Sequence, residues 1–241
     1  MQWSLVGSEM CIRDRYNMTN KTMSERDLDV LWHPCTQMKD HEFLPMIPIE
    51  SAQGVWLKDF DGNEYIDAIS SWWVNIFGHV NPYINAKIKE QLDTLEHVIL
   101  AGFTHESVVK LSERLIKITP EGLDRCFYAD NGSSAVEVAL KMSYHTHKNR
   151  GLDKPLFVSL TNSYHGETIA ALSVGDVELY KETYGPLLIR TVQTPVPKDM
   201  SEEAAKEAAS ALERLLEERS EEISALILEP LVQGAGYMHM Y

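Results

Sequence analysis

Ile84, Ile88, Leu92 and Leu95 recur at spacings of three and four, the stripe of an amphipathic helix, and predict a helix from the Asn81-Pro82 break to about His97. Val108, Leu111, Leu115 and Ile118 repeat the pattern over 107–117. Between 27 and 48 periodicity is weak and Pro34, Pro45 and Pro48 interrupt it, so the segment reads as an extended arm. Residues 54–59 and 64–69 are short strand-like runs around Asp61-Gly62, a turn dipeptide that predicts a hairpin. After Pro120 strand and helix signals alternate. Short apolar runs at 126–129, 156–160, 187–192 and 225–228 read as strands, and 134–147, 168–174 and 201–222 as helices. Such alternation implies an α/β fold, a mostly parallel sheet with flanking helices and right-handed crossovers. The small hairpin and arm precede it.

Charge then narrows the partners. With 22 basic and 36 acidic residues the 241-residue chain carries −14, which argues against nucleic acid or an anionic membrane as a general partner. Residues 201–222 hold eight acids and three bases, so −5 of that charge belongs to the wet face of one helix. Cys11, Cys35 and Cys126 are odd in number and widely spaced, which fits a reducing compartment and no disulfide scaffold; Cys126, in an apolar run, is expected in the core. No apolar run approaches the ~20 residues of a membrane span. His145 and His147 face different ways on a helix, so no metal site is expected. The run SLVGSEMCIRDR resembles a translated sequencing-adaptor read. Residues 1–15 are accordingly expected to be a non-native leader, with a genuine start at Met18 or Met23.

Three segments carry candidate chemistry. In Asp130-Asn131-Gly132-Ser133-Ser134-Ala135-Val136-Glu137 a strand signal gives way to a helix start, where free N–H groups and a hydroxyl suit a phosphate. The same residues also read as Ser133 capping a helix with Glu137 in its first turn. Asn162-Ser163-Tyr164-His165-Gly166-Glu167-Thr168 is a second strand-to-helix loop, in which Tyr164 either covers a flat ring or packs on the surface. In Ser70-Ser71-Trp72-Trp73 adjacent tryptophans on an extended backbone point to opposite sides. One of them is then free for a partner, subunit or substrate, unless the two are buried at different packing surfaces.

Taken in order, Trp32-His33-Pro34, Ser70-Ser71-Trp72-Trp73, the Gly132-Ser133 and Tyr164-His165-Gly166 segments and Glu229-Pro230-Leu231-Val232-Gln233-Gly234-Ala235-Gly236 resemble the class-III aminotransferases of fold type I, from about Leu31 to Tyr241. The resemblance implies pyridoxal 5′-phosphate as cofactor, with Gly132 and Ser133 on its phosphate, Tyr164 beside its ring and against substrate, and Glu229 in support. The double tryptophan and the Trp-His-Pro arm resemble members that aminate 8-amino-7-oxononanoate in biotin synthesis with S-adenosylmethionine as donor. Trp72 would then line the substrate pocket, as would Cys35, which stands where relatives usually carry an aromatic residue. Gly234-Ala235-Gly236-Tyr237 departs from the usual Gly-Ala-Gly-Gly. The family also implies residues 16–100 as part of a small domain, 101–241 as an incomplete cofactor-binding domain, a homodimer and a cytoplasmic location. Its Schiff-base lysine, and the acid that pairs with the pyridine nitrogen, would lie beyond Tyr241. The chain alone is therefore expected to be inactive, with no catalytic residue of its own. Other readings stay open: another class-III enzyme acting on an ω-amine or diamine, a non-catalytic phosphate-ligand binding module, or a partner subunit.

Overall fold

The structure is a computed structural model that describes residues 18–235. The expected leader at 1–15, Cys11 and the Gly236-Tyr237 departure lie outside the described residues. The chain divides into two compact units, one ending at Val109 and one beginning at Lys110.

In the first unit helix α1 (Asn20–Val30) precedes an antiparallel sheet of β1 (Ile49–Gln53), β2 (Trp56–Asp59) and β3 (Glu64–Ile66). The hairpin at Asp61-Gly62 forms as expected, with Trp56 opposite Ile66 and Lys58 opposite Glu64. The arm is less extended than its prolines imply. It begins inside α1, includes a 3-10 turn at Met38–Glu42, and ends just before β1, which pairs with β2 through a two-residue loop. Gly54 in that loop takes φ +58, a conformation open to glycine without penalty. Helix α2 (Pro82–Leu92) is capped by Asn81, whose side chain accepts from the N–H groups of Tyr83 and Ile84.

Among the described residues of this unit only Ser24 and Asp59 are buried. A polar hub therefore does the work of a core. The Asp59 carboxylate accepts from the side chains of Asn20 (2.8 Å), Asn63 (2.9 Å) and Tyr65 (2.8 Å) and from the N–H groups of Asp61 and Asn63. Burial alone would raise its pKa, but the hydrogen bonds from Asn63, Asn20 and Tyr65 outweigh it and hold the carboxyl well below the usual range. A depressed carboxylate contributes stability that is complete above its unfolded pKa of about 4 and is lost as pH falls toward the folded value. Acidification below pH ~4 is thus expected to loosen this unit. In Asp59→Asn that acid-dependent step should vanish, at the expense of lower stability at neutral pH. Tryptophan emission, reporting on Trp56 in β2, against pH for both proteins checks it.

The second unit carries the α/β pattern. Its sheet is β5 (Thr191–Thr194), β4 (Leu156–Leu160) and β6 (Ile223–Ile227) in that spatial order, all parallel. Because successive strand residues face opposite ways, Phe157 packs with Leu140 and Val174 on one side, and Leu156 and Val158 pack with Ile223, Leu212 and Leu215 on the other. Helices α4 (Gly132–Asn149) and α5 (Ile169–Val174) supply the first face and α7 (Glu202–Arg219) the second. A short α6 (Glu178–Lys181) follows α5, and helix α3 (Glu106–Leu115) begins in the first unit and ends in the second. Three expectations fail here. Residues 126–129 form no strand, since an apolar run without a neighbouring strand has no ladder to join, and Cys126 is half-buried rather than core. The strand expected at 187–192 starts instead at Thr191, after a 3-10 turn that contains Pro186.

Candidate functional site

Three loops of the second unit meet beyond the ends of β4 and β6. The first opens α4. Its N-cap is Asn131, whose side chain accepts from Ser134 N–H at 2.8 Å, so Ser133 lies inside the first turn and does not cap it. Gly132 N–H and Ser133 N–H therefore sit where a helix has no internal acceptors. A Cβ at Gly132 would meet nothing within 4 Å, so the approach to those groups is open. The dipole of an 18-residue helix adds positive potential there. The hydrogen bond from the Ser134 side chain, with others from the local backbone, holds Asp130 below the usual carboxylate range.

The second loop, 161–168, packs on the first. Gly166 is buried at φ +118, and a Cβ there would fall 2.1 Å from Ser133 Oγ. Glu167 N–H donates to that same Oγ at 3.3 Å. Tyr164 donates through its hydroxyl to Glu167 at 3.0 Å, and its ring meets Tyr180 edge-on. Burial pushes the His165 imidazole below its ordinary value against the opposing pull of Glu229, so the ring is mainly neutral at pH 7. Its buried Nε2 has no protein hydrogen-bond partner.

The third loop ties the second in place. Glu229 accepts Tyr164 N–H through Oε2 and Gly234 N–H through Oε1, both at 2.8 Å. Gln233, fully buried, donates to the Thr161 carbonyl at 2.7 Å while its own Oε1 lacks a partner. Glu137 turns out to serve the second loop too. Its carboxylate leaves its own helix and accepts the N–H groups of Ala170 and Ala171 at 2.8 and 3.3 Å, first-turn donors of α5 that have no acceptor within that helix. Gly132, Ser133, Tyr164 and Glu229 are thus brought together, whereas Trp72 and Cys35 belong to the first unit.

Trp72 does not sit on an extended backbone. Ser70, Ser71, Trp72 and Trp73 have φ of 50, 49, 60 and 66°, a single left-handed helical turn. Neither tryptophan is core; they are 60% and 67% exposed. Left-handed helix costs roughly 1–2 kcal/mol per non-glycine residue, so four in a row need strong anchoring. Cys35 is exposed and also at positive φ, 57°. Just before it, His33 Nε2 meets Asp27 at 2.5 Å. Among the described residues no group of three or more His, Cys, Asp or Glu is placed to hold a metal, and no helix is long and apolar enough to cross a membrane.

The family profile of aminotransferase class-III matches residues 36–241. The chain belongs to the class-III aminotransferases. It is 57% identical over 223 residues to the adenosylmethionine-8-amino-7-oxononanoate aminotransferase of Helicobacter pylori, covering 92% of this chain and 50% of that protein. The protein of the same name from Geobacter sulfurreducens is 40% identical, covering 90% of this chain and 50% of its own length. Among solved structures, the Methanocaldococcus jannaschii protein of that name superposes with a TM-score of 0.82 at 36% identity, over 89% of this chain and 48% of that one. An omega transaminase from Pseudomonas jessenii, in complex with PMP, gives 0.83 at 27% identity, over 90% of this chain and 50% of its own. The fold is therefore that of the pyridoxal-phosphate transaminases, and this class-III chain spans about half the length of the relatives it matches. The sequence points to Glu137 only as a first-turn acid, whereas it is the sixth residue of α4, and it gives no sign of Asp67, whose carboxylate accepts from the N–H and hydroxyl of Ser71. Acidic residues next to helix and turn ends were the available signal, but the contacts of Glu137 are 33 and 34 residues away.

Proposed function

We propose that the whole protein aminates 8-amino-7-oxononanoate to 7,8-diaminononanoate for biotin synthesis, using pyridoxal 5′-phosphate as cofactor and S-adenosylmethionine as amino donor. The observation that carries this reading is the open donor pair of Gly132 and Ser133 at the head of α4, pressed against the Tyr164-His165-Gly166 loop. Two N–H groups and a hydroxyl at a helix N-terminus suit a phosphate dianion without any basic side chain, which reconciles anion binding with a chain of charge −14. When bound, the cofactor supplies the electron sink that amino transfer needs. Gly132 and Ser133 hold its phosphate. Tyr164 covers its ring, its backbone fixed by Glu229. Trp72 offers an apolar wall to the methylene tail of the ketone, and Cys35 leaves that wall less filled than an aromatic residue would. The same reading has the protein act as a cytoplasmic homodimer.

Two measurements test it. Ser133→Ala removes one charge-assisted hydrogen bond of about 1.5–3 kcal/mol, so titration with pyridoxal 5′-phosphate should show affinity lower by roughly ten- to a hundredfold. Affinity unchanged in that variant removes the phosphate role. Sequencing past the codon for Tyr241, then assaying the encoded protein with 8-amino-7-oxononanoate and with simple ω-amines, tests the substrate. Formation of 7,8-diaminononanoate from the ketone supports the reading. Turnover confined to ω-amines would assign the protein to the other branch, to which the Pseudomonas jessenii omega transaminase belongs by its name.

A further inference from the structure

The left-handed turn that displays the two tryptophans is held from one side by a single carboxylate. Asp67 Oδ1 accepts Ser71 N–H at 2.9 Å, and Oδ2 accepts both the Ser71 hydroxyl at 2.7 Å and His79 Nε2 at 2.8 Å. The carboxylate is nearly buried, its side chain 6% exposed, and His79 is 16% exposed. Both partners are themselves fixed by the sheet. Asp67 N–H donates to the Val55 carbonyl at 2.9 Å, and His79 pairs with Gly54 through two backbone hydrogen bonds of 2.8 and 3.0 Å. Gly78 comes so close to Gly54 that a Cβ would lie 3.1 Å from its backbone, so this approach is itself built for small residues.

The turn has little else to hold it. Its backbone bonds run from Ser70 N–H to the Asp67 carbonyl, Trp73 N–H to the Ile69 carbonyl, and Val74 and Asn75 N–H to the Ser70 carbonyl, and none of them engages the peptides of Ser71 or Trp72 through a donor. What selects the left hand is the capture of Ser71 by Asp67 through two bonds at once, which fixes the peptide just before Trp72. Backbone conformations of this kind persist only where their surroundings over-determine them, and they cluster at sites of recognition. Hydrogen bonds from Ser71 and His79 also keep Asp67 ionised, with its pKa lowered to about 2, so all three contacts stay charge-assisted at neutral pH.

We propose that Asp67, oriented by His79, is a positioning residue that locks the Ser70–Trp73 turn left-handed and so fixes where Trp72 stands against the long-chain ketone. The second half of this statement rests on the substrate reading given above; the first half does not. Asp67 touches neither substrate nor cofactor. It sets specificity through the direction of Trp72.

The test uses the full 241-residue chain labelled with 5-fluorotryptophan, with the fluorine resonances assigned through Trp72→Phe and Trp73→Phe. Asp67→Asn keeps the shape of the side chain but turns a donor toward the Ser71 hydroxyl and His79. It should move the Trp72 and Trp73 resonances and leave that of Trp56 in place. His79→Gln, which restores a donor, should return the spectrum toward wild type relative to His79→Ala. If Asp67→Asn lowers the thermal transition and shifts Trp56 as well, Ser71→Ala decides, because it deletes only the hydroxyl. Trp72 and Trp73 unmoved in Asp67→Asn with Trp56 intact, or unmoved in Ser71→Ala, overturns the proposal. A second titration, with 8-amino-7-oxononanoate in the presence of pyridoxal 5′-phosphate, follows the Trp72 resonance. Binding should weaken on the order of tenfold in Asp67→Asn, the penalty for a misplaced recognition group. A ligand that leaves Trp72 unperturbed in the wild-type chain refutes the substrate reading, while the displacement caused by Asp67→Asn still stands for the positioning role.

Discussion

Gly166→Ala should unfold the junction of the two strand-end loops, lowering stability by roughly 2–6 kcal/mol. About 1–3 kcal/mol of that comes from forcing an L side chain to φ +118. A further amount of about 1–3 kcal/mol comes from inserting a methyl where there is no room. The new Cβ would lie 2.1 Å from Ser133 Oγ, 2.9 Å from Ser133 Cβ and 3.1 Å from Ser133 Cα. Rotating the serine hydroxyl away relieves only the first contact, so the helix start itself has to move. Denaturant unfolding of the two proteins measures the loss, and titration with pyridoxal 5′-phosphate measures its effect on the Gly132-Ser133 donors.

A double-mutant cycle separates the two contributions. Ser133→Gly removes both side-chain atoms that the methyl would strike and leaves the backbone strain at 166 untouched. Gly166→Ala should therefore be milder in that background, with a coupling of about 1–3 kcal/mol between the positions. Simple additivity would mean that the two loops do not share this contact, and the phosphate reading of the Gly-Ser segment would lose its structural support from the Tyr-His-Gly loop.

How much of this was legible beforehand varied with the range of the forces involved. The hairpin follows from Asp61-Gly62 and the alternation around it, and β4 occupies 156–160 as its apolar run implies, because both are set locally. The strand-to-helix position of Gly132-Ser133 was equally plain. The cap was misplaced by two residues, since Asn131 and Ser133 are both good caps and only the register of the folded helix chooses. The Ser-Ser-Trp-Trp turn was not legible at all. Nothing in those four residues favours a left-handed backbone, and its cause is the side chain of Asp67, itself steadied by a histidine twelve residues on. Residues 126–129 show the opposite failure, where strand propensity is present and a pairing neighbour is not.

Glu137 is the residue whose importance changed most between sequence and structure, and its truncation is expected to rank with Gly166→Ala. The sequence places it in the first turn, but from the Asn131 cap it lies in the second, where the helix dipole alone would make it worth no more than about a few tenths of a kcal/mol. As the acceptor for Ala170 and Ala171 it satisfies two donors at the head of α5, and Ala171 is fully buried. Glu137→Ala leaves both N–H groups without a partner, at about 1–3 kcal/mol for each buried donor, so a loss of roughly 2–5 kcal/mol is expected. Glu137→Gln keeps a carbonyl oxygen in reach and should lose only about 1 kcal/mol, the difference between a charged and a neutral acceptor. Unfolding curves that give the two variants equal losses would return Glu137 to the dipole role. Because α5 begins directly after the Tyr164-His165-Gly166 loop, the alanine variant should also weaken pyridoxal 5′-phosphate binding, and the glutamine variant should largely retain it. That contrast follows only if the carboxylate acts by holding α5 in place. A charge effect on the phosphate would reverse it, since removing a negative group beside the anion site would strengthen binding in both variants.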